Sequence, residues 1–236
     1  MTEENATRVA IVTGAGRGFG LALTTALAEL GTTVIAVGRD ADRLRSAAAG
    51  LRGVRAVTAD VTDPDGRAAI VAAAQEAGGL DLLVHNAGEL GPSPLPRLAD
   101  YPPDALRAVL ETTVVAPLAL TALTLPLLRA APTPTIVTLS SDAAVEAYEG
   151  WGGYGAAKAA LDHLAAVLAV EEPGIRVHAF DPGDMRTEMH QRAFPGEDIS
   201  DRPEPATVVP AFLRLLDERP PSGRYRAADL HIAATA

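Results

Sequence analysis

Residues Arg8 to Leu30 read RVAIVTGAGRGFGLALTTALAEL, and this stretch decides the fold. Arg8 to Thr13 is a short β-branched run that closes on Gly14. Gly14, Gly18 and Gly20 then punctuate a turn before the apolar-periodic Leu21 to Leu30. A buried strand, a glycine-rich loop and a helix therefore follow one another without a spacer. Glycines at such a hand-over let the backbone turn sharply and approach a ligand. The free amides and dipole of the following helix favour an anion such as a pyrophosphate. A glycine-rich turn also arises for conformational reasons alone; its place directly after the first strand is what points to a nucleotide.

The alternation continues outward. Thr33 to Val37, Val54 to Thr58 and Leu80 to Val84 read as strands, separated by helical Ala41 to Leu51 and Asp63 to Ala77. Asp104 to Ala130 reads as one long helix bent at Pro117, Thr135 to Leu139 as a buried strand, and Gly152 to Glu172 as an Ala-rich helix. Ile175 to Phe180 is a strand and Pro205 to Arg219 the final helix, before a possible edge strand near Tyr225 to Leu230. Strand and helix units in series imply right-handed crossovers. The expected architecture is α/β: a single Rossmann-type, doubly wound parallel sheet of about seven strands with helices on both faces. No composition shift marks a boundary, so residues 1–236 read as one dinucleotide-binding and catalytic domain. The polar segment from Asp184 to Pro203 shows no clean period and reads as a mobile substrate loop or lid.

Composition bounds the function. Hydrophobic residues make up 48% of the 236 and aromatics 4%, so the core is built from Ala, Val, Leu and Ile, as suits helices on a parallel sheet. A formal net charge of −10 repels nucleic acid and anionic lipid, and no nucleic-acid partner is expected. The absence of Cys excludes disulfides, thiolate catalysis and Cys-ligated zinc, and is compatible with a reducing cytosol. The start MTEENATR lacks the basic, apolar character of a secretory signal. Pro117 to Leu128 carries Thr and Pro and is short for a bilayer, so the expected location is cytoplasmic, without a membrane partner. His85, His163, His178, His190 and His231 show no metal-ligand spacing, and no metal is expected.

Thr13 to Gly20, TGAGRGFG, resembles the TGxxxGxG fingerprint of the short-chain dehydrogenases/reductases, and Asn86-Ala87-Gly88 resembles that family's NAG motif. The resemblance spans almost the whole chain. It implies a dinucleotide held by Gly14, Arg17, Gly18, Phe19, Gly20, Asn86, Ala87 and Gly88, with Asp60-Val61 at the adenine. It also places Pro182-Gly183 and Thr187 at the nicotinamide amide, although Asp181-Pro182-Gly183 serves equally as a plain turn. Folds that prefer NAD put Asp or Glu at the end of the second strand. Here Gly38 stands in that place, Arg39 follows, and Arg17 lies in the loop, so two guanidinium groups flank a 2′-phosphate. NADP(H) is favoured; NAD(H) stays possible if both arginines are merely solvated and Asp40 serves the ribose.

Tyr154 and Lys158 are four residues apart on a predicted helix and project from one face. A neighbouring ammonium favours the phenolate and lowers its pKa, giving a usable acid or base. Ser141 lies thirteen positions earlier, just past a strand end, where α/β sheets gather ligand groups. Y-x-x-x-K and Ser140-Ser141 each occur by chance; their order behind the glycine-rich loop and NAG carries the reading. The resemblance implies that Ser141 polarises a carbonyl, Tyr154 transfers the proton and Lys158 also holds the nicotinamide ribose. Thr113 stands where the family usually has an Asn that holds a relay water. The expectation is hydride transfer between NADP(H) and a small-molecule carbonyl or alcohol. Alternatives are a sensor or scaffold that binds NADP(H) without turnover, and an epimerase or dehydratase using a transient redox step. Tyr148 and Trp151 either line the substrate pocket or pack the helix start. Wide apolar faces on the helices around Leu106 to Leu128 and Ala156 to Val170, with the family resemblance, imply a homodimer or homotetramer.

Overall fold

Strands covered by helices on both faces must be apolar at nearly every position. That holds for β1 (Val9–Thr13), β4 (Leu82–His85) and β5 (Thr135–Leu139), which are buried throughout in the computed structural model, whose described residues are 8–230. The segment 1–7 and His231 lie outside them. With β2 (Thr33–Gly38), β3 (Val54–Thr58), β6 (Arg176–Asp181) and β7 (Gly223–Arg226), these form one parallel sheet in the order β3-β2-β1-β4-β5-β6-β7. The expected doubly wound fold is therefore the one observed. Strand order reverses between β1 and β4, which pair in register Val12 to Val84, and the crevice beyond their carboxyl ends is where such sheets take ligands.

Among the described residues eight α-helices connect the strands: α1 (Gly18–Glu29), α2 (Ala41–Ala48), α3 (Pro64–Glu76), α4 (Pro103–Leu110), α5 (Ala116–Ala130), α6 (Gly152–Glu171), α7 (Glu188–Ala193) and α8 (Val209–Glu218). On one face, Phe19, Phe180 and Phe212 interlock with centroids 5.2–6.1 Å apart, fixing α1 and α8 to the sheet. On the other, Ile70, Leu120, Leu128 and Ala165 join α3, α5 and α6 to Ile11, Leu83 and Ile136.

Three expectations need correction. The long helix is distorted just before Pro117 rather than at it: Glu111–Val115 forms a π turn, and Pro117, inside the run that continues through this turn, has no N–H to give the preceding turn. The helical run Pro103–Ala130 is continuous over 28 residues, long and apolar enough by length and composition to cross a bilayer. It packs on α3, α6 and β4, with Leu120, Thr124 and Leu128 buried. Second, the segment 184–203 contains α7, six residues too short to show a period, with Thr187 capping it through His190 N–H. Third, β7 starts at Gly223 and ends at Arg226, and Ala227–Leu230 is a 3-10 turn.

Candidate active site

A cleft of about 1240 Å³ opens at the carboxyl ends of the strands. Its floor is the hand-over from β1 to α1. Gly14 has φ 69°, open to glycine at little cost, and a Cβ on Gly20 would stand 2.3 Å from the Gly14 carbonyl oxygen. Asn86 Nδ2 ties this loop by donating to the carbonyls of Thr13 (2.8 Å) and Gly14 (3.2 Å), while Thr13 Oγ1 accepts from the N–H groups of Asn86 and Ala87. Arg17 precedes α1 without a side-chain cap, so the helix presents its first amides to the cleft, and no carboxylate in its first turn competes for them. Phe19 turns its side chain into the core, leaving only its backbone at the cleft.

The outer end of the cleft is built from arginines. Asp40 is engaged as the cap of α2, its Oδ1 accepting from the N–H groups of Asp42 and Arg43. Arg39 lies 3.7 Å from Asp60. Burial raises the Asp60 carboxyl, but the Thr62 N–H and hydroxyl, with Arg39, hold it below the usual range. Arg43, in the first turn of α2, lines the same end of the cleft, and no motif in the sequence pointed to it. Arg17 (2.7 Å) and Arg43 (2.8 Å) both grip Glu188 of α7, which lies across the cleft from them. Hydrogen bonds from Arg43 and then Arg17 hold the Glu188 carboxyl below its ordinary value.

At the inner end, Tyr154 and Lys158 lie one turn apart on α6, 9% and 4% exposed. Lys158 Nζ donates to the Leu139 carbonyl oxygen and stands 5.5 Å from the centre of the phenol ring. Ser141 caps the turn Asp142–Ala144: its hydroxyl accepts from Ala143 N–H and donates to Asp142 Oδ1 at 2.9 Å. Thr113 is fully buried in the π turn, its Oγ1 accepting from Glu89 N–H at 3.4 Å. Gly88 lies between this hydroxyl and Lys158 Nζ, which would stand 3.9 and 3.8 Å from a Cβ placed there. Val61, Ala87, Pro182 and Thr187 line the same cleft, and Gly183 lines a smaller cavity beside it.

The electrostatics correct one expectation. Burial pushes the Tyr154 phenol above the ordinary tyrosine range; the Ser141 hydrogen bond opposes this, and Asp181, Asp142 and Asp162 push it further up. The protein's own groups therefore keep the phenol protonated. Burial pulls Lys158 down to about 8, against Asp162 and Asp181. A lysine so placed exchanges its proton near neutrality.

The adjoining cavity, about 440 Å³, is bounded by Ser141 and Tyr154 on one side and by Leu90, Trp151, Met189 and Phe194 on the other. Trp151 packs on both Tyr154 and Phe194, at 5.6 and 5.9 Å. Tyr148 is at the rim, its hydroxyl on Glu146 and Asp142, and Glu146 is first among the groups that push it up to about 12.

The family model described as short chain dehydrogenase matches residues 8–198. Among curated proteins, the oxidoreductase YciK of Escherichia coli K12 is 32% identical over 220 residues, covering 89% of this chain and 86% of its own. Sepiapterin reductase of Meriones unguiculatus is 36% identical over 202 residues, covering 78% and 77%. Among solved structures, a short-chain dehydrogenase from Escherichia coli CFT073 in complex with NADPH superposes with a TM-score of 0.85 at 31% identity, covering 93% of this chain and 96% of its own.

Proposed function

The chain belongs to the short-chain dehydrogenase family of oxidoreductases, and from that premise we propose that it is an NADP(H)-dependent enzyme interconverting a carbonyl and a secondary or primary alcohol. The observation that carries this reading is the convergence of Ser141, Tyr154 and Lys158 at one end of a cleft whose other end is ringed by Arg17, Arg39 and Arg43. The gap kept open by Gly14 and Gly20 and the uncapped amides of α1 suit a pyrophosphate. Arg17, Arg39 and Arg43 suit a 2′-phosphate that takes the place of their present carboxylate partners Glu188 and Asp60, while Asp40, whose Oδ1 caps α2, is a poor ribose acceptor. The NADPH-bound neighbour supports the same choice.

When bound, NADPH supplies a hydride to the carbonyl carbon of the substrate. The hydroxyls of Ser141 and Tyr154 hold the carbonyl oxygen, whose developing negative charge they stabilise as the C–O π bond breaks. Tyr154 gives that oxygen its proton, which its raised pKa keeps available. Lys158 stands ready to return a proton to the phenolate, with the Thr113 hydroxyl nearby across Gly88. Oxidation of the alcohol runs through the same groups in reverse. Trp151, Phe194, Leu90 and Met189 suit an apolar or aryl substituent on the substrate. Thr113, in place of the family's Asn, favours the second reading, an NADP(H)-binding protein with little turnover.

The test is a titration of the purified protein with NADPH and NADH by fluorescence, followed by a panel of ketones and aldehydes read by cofactor absorbance. Tighter binding of NADPH with turnover is the expected result. Binding without turnover on a broad panel moves the assignment to the second reading, and binding of neither cofactor overturns both.

A further inference from the structure

The roles given to Ser141, Tyr154 and Lys158 leave a charge cluster beneath them without a purpose. Asp162 follows Lys158 by one turn of α6, Asp181 closes β6, and Arg224 stands on β7. Arg224 Nη2 donates to Asp181 Oδ2 at 2.8 Å and to the Ser141 carbonyl oxygen at 3.0 Å. Its Nε lies 3.3 Å from both Asp162 Oδ2 and Ser140 Oγ, and that serine hydroxyl donates to the same Asp162 oxygen at 2.6 Å. The carboxylates of Asp162 and Asp181 are 15% and 6% exposed. Charges so far from water persist only when paired.

We propose that Arg224 is a positioning residue for the reaction: it anchors the Ser140-Ser141 backbone and balances the two carboxylates that flank Lys158. One guanidinium joins the end of β5, the middle of α6 and the end of β6, the three elements that carry Ser141, Lys158 with Tyr154, and Pro182-Gly183. Lys158 and Arg224 together match Asp162 and Asp181 charge for charge. The charged groups facing the phenol and the ammonium are Asp142 after β5, Asp162 on α6 and Asp181 on β6, with Arg224 acting through the last two. Without Arg224, two carboxylates face one ammonium. Lys158 then holds its proton more tightly and the Tyr154 phenolate is harder to form, while the Ser141 carbonyl loses its tether.

This inference rests on the reductase reading for its role in catalysis, but the charge balance is measurable without turnover because Lys158 is the only lysine in the chain. Protein grown on lysine carrying carbon-13 at Cε gives one side-chain lysine resonance, whose shift against pH reports the midpoint directly. The expected midpoint is about 8 in the unaltered protein. Arg224→Gln moves it up by about one pH unit, and Asp162→Asn, which removes an opposing charge, moves it down. The kcat of Arg224→Gln for carbonyl reduction falls by about tenfold or more, and the basic limb of its pH profile shifts in the same direction as the resonance. Loosened packing moves both variants the same way, so a midpoint unmoved in Arg224→Gln, or moved alike in both, overturns the inference. Opposite shifts in a protein that reduces no carbonyl leave the charge balance standing and remove the reductase reading.

Discussion

Replacing Tyr154 by Phe removes one oxygen from a ring that otherwise keeps its contacts with Trp151. Turnover is expected to fall by about 10²- to 10⁴-fold, the usual share of a positioned general acid, while NADPH binding measured by fluorescence stays close to that of the unaltered protein. Retained activity contradicts the role given to the phenol. Arg39 and Arg43 are read in the same way. Arg39→Ala and Arg43→Ala each lower the affinity for NADPH, about tenfold or more for loss of a charge-assisted hydrogen bond, and leave NADH nearly unchanged. An unchanged ratio in both variants removes the 2′-phosphate assignment. At this scale the sequence was informative where a motif fixed spacing, as for Tyr154 and Lys158. It was silent on Arg43, Glu188 and Arg224, whose partners lie 145 and 83 residues away along the chain in the bonds Arg43–Glu188 and Arg224–Ser141. The lowering expected for the phenol is not found: burial, which no spacing reveals, pushes it up, and the Ser141 hydrogen bond is what opposes the rise.

Among the elements, the hand-over from β1 to α1 tolerates least. A methyl group on Gly20 meets the Gly14 carbonyl at 2.3 Å and Asn86 Nδ2 at 2.5 Å, both held by the backbone. Gly20→Ala is expected to lose about 1–3 kcal/mol in urea unfolding, as overpacked sites do, and to weaken both cofactors alike because the loop itself shifts. An unaffected midpoint of unfolding means the loop has room that these contacts deny. Strands β1 to β6 were legible as short β-branched or apolar runs between turn residues, and that pattern is local; β7, Gly-Arg-Tyr-Arg at the sheet edge, has no such run, and the strand expected near Tyr225 to Leu230 overlaps it by two residues. The π turn at Glu111–Val115, which holds buried Thr113, was not legible, since the residues ETTVV carry no period that separates it from an ordinary helical turn. Nor was α7, whose six residues owe their helix to the Thr187 cap and to burial of His190 and Ala193.

For the molecule as a whole, acid is the weak direction. His85 is fully buried against Thr121 Oγ1, and burial pulls its pKa to about 3; His178 is pulled to about 4 by burial and by Arg176 and Arg219. An unfolded histidine titrates near 6.5, so below that pH the unfolded chain binds protons that the native state refuses, and stability falls as pH falls towards the native values. Between pH 7 and pH 5 His85 removes about 2 kcal/mol. Urea unfolding at the two pH values is expected to show this loss, and His85→Gln to lose about 2 kcal/mol less over the same interval; equal losses in both proteins rule His85 out. The helices α5 and α6 expose Leu118, Leu123, Val167 and Val170, the faces through which we propose that the chain forms a homodimer or homotetramer. The tie made by Arg224 has a last consequence, for biosynthesis. Its partners Ser141, Asp162 and Asp181 precede it by 83, 62 and 43 residues, so on the ribosome they emerge first and wait. A chain that has closed the sheet from β1 to β6 still lacks the guanidinium that pairs with its buried carboxylates, so the proposed charge balance is complete only once the seventh strand has docked.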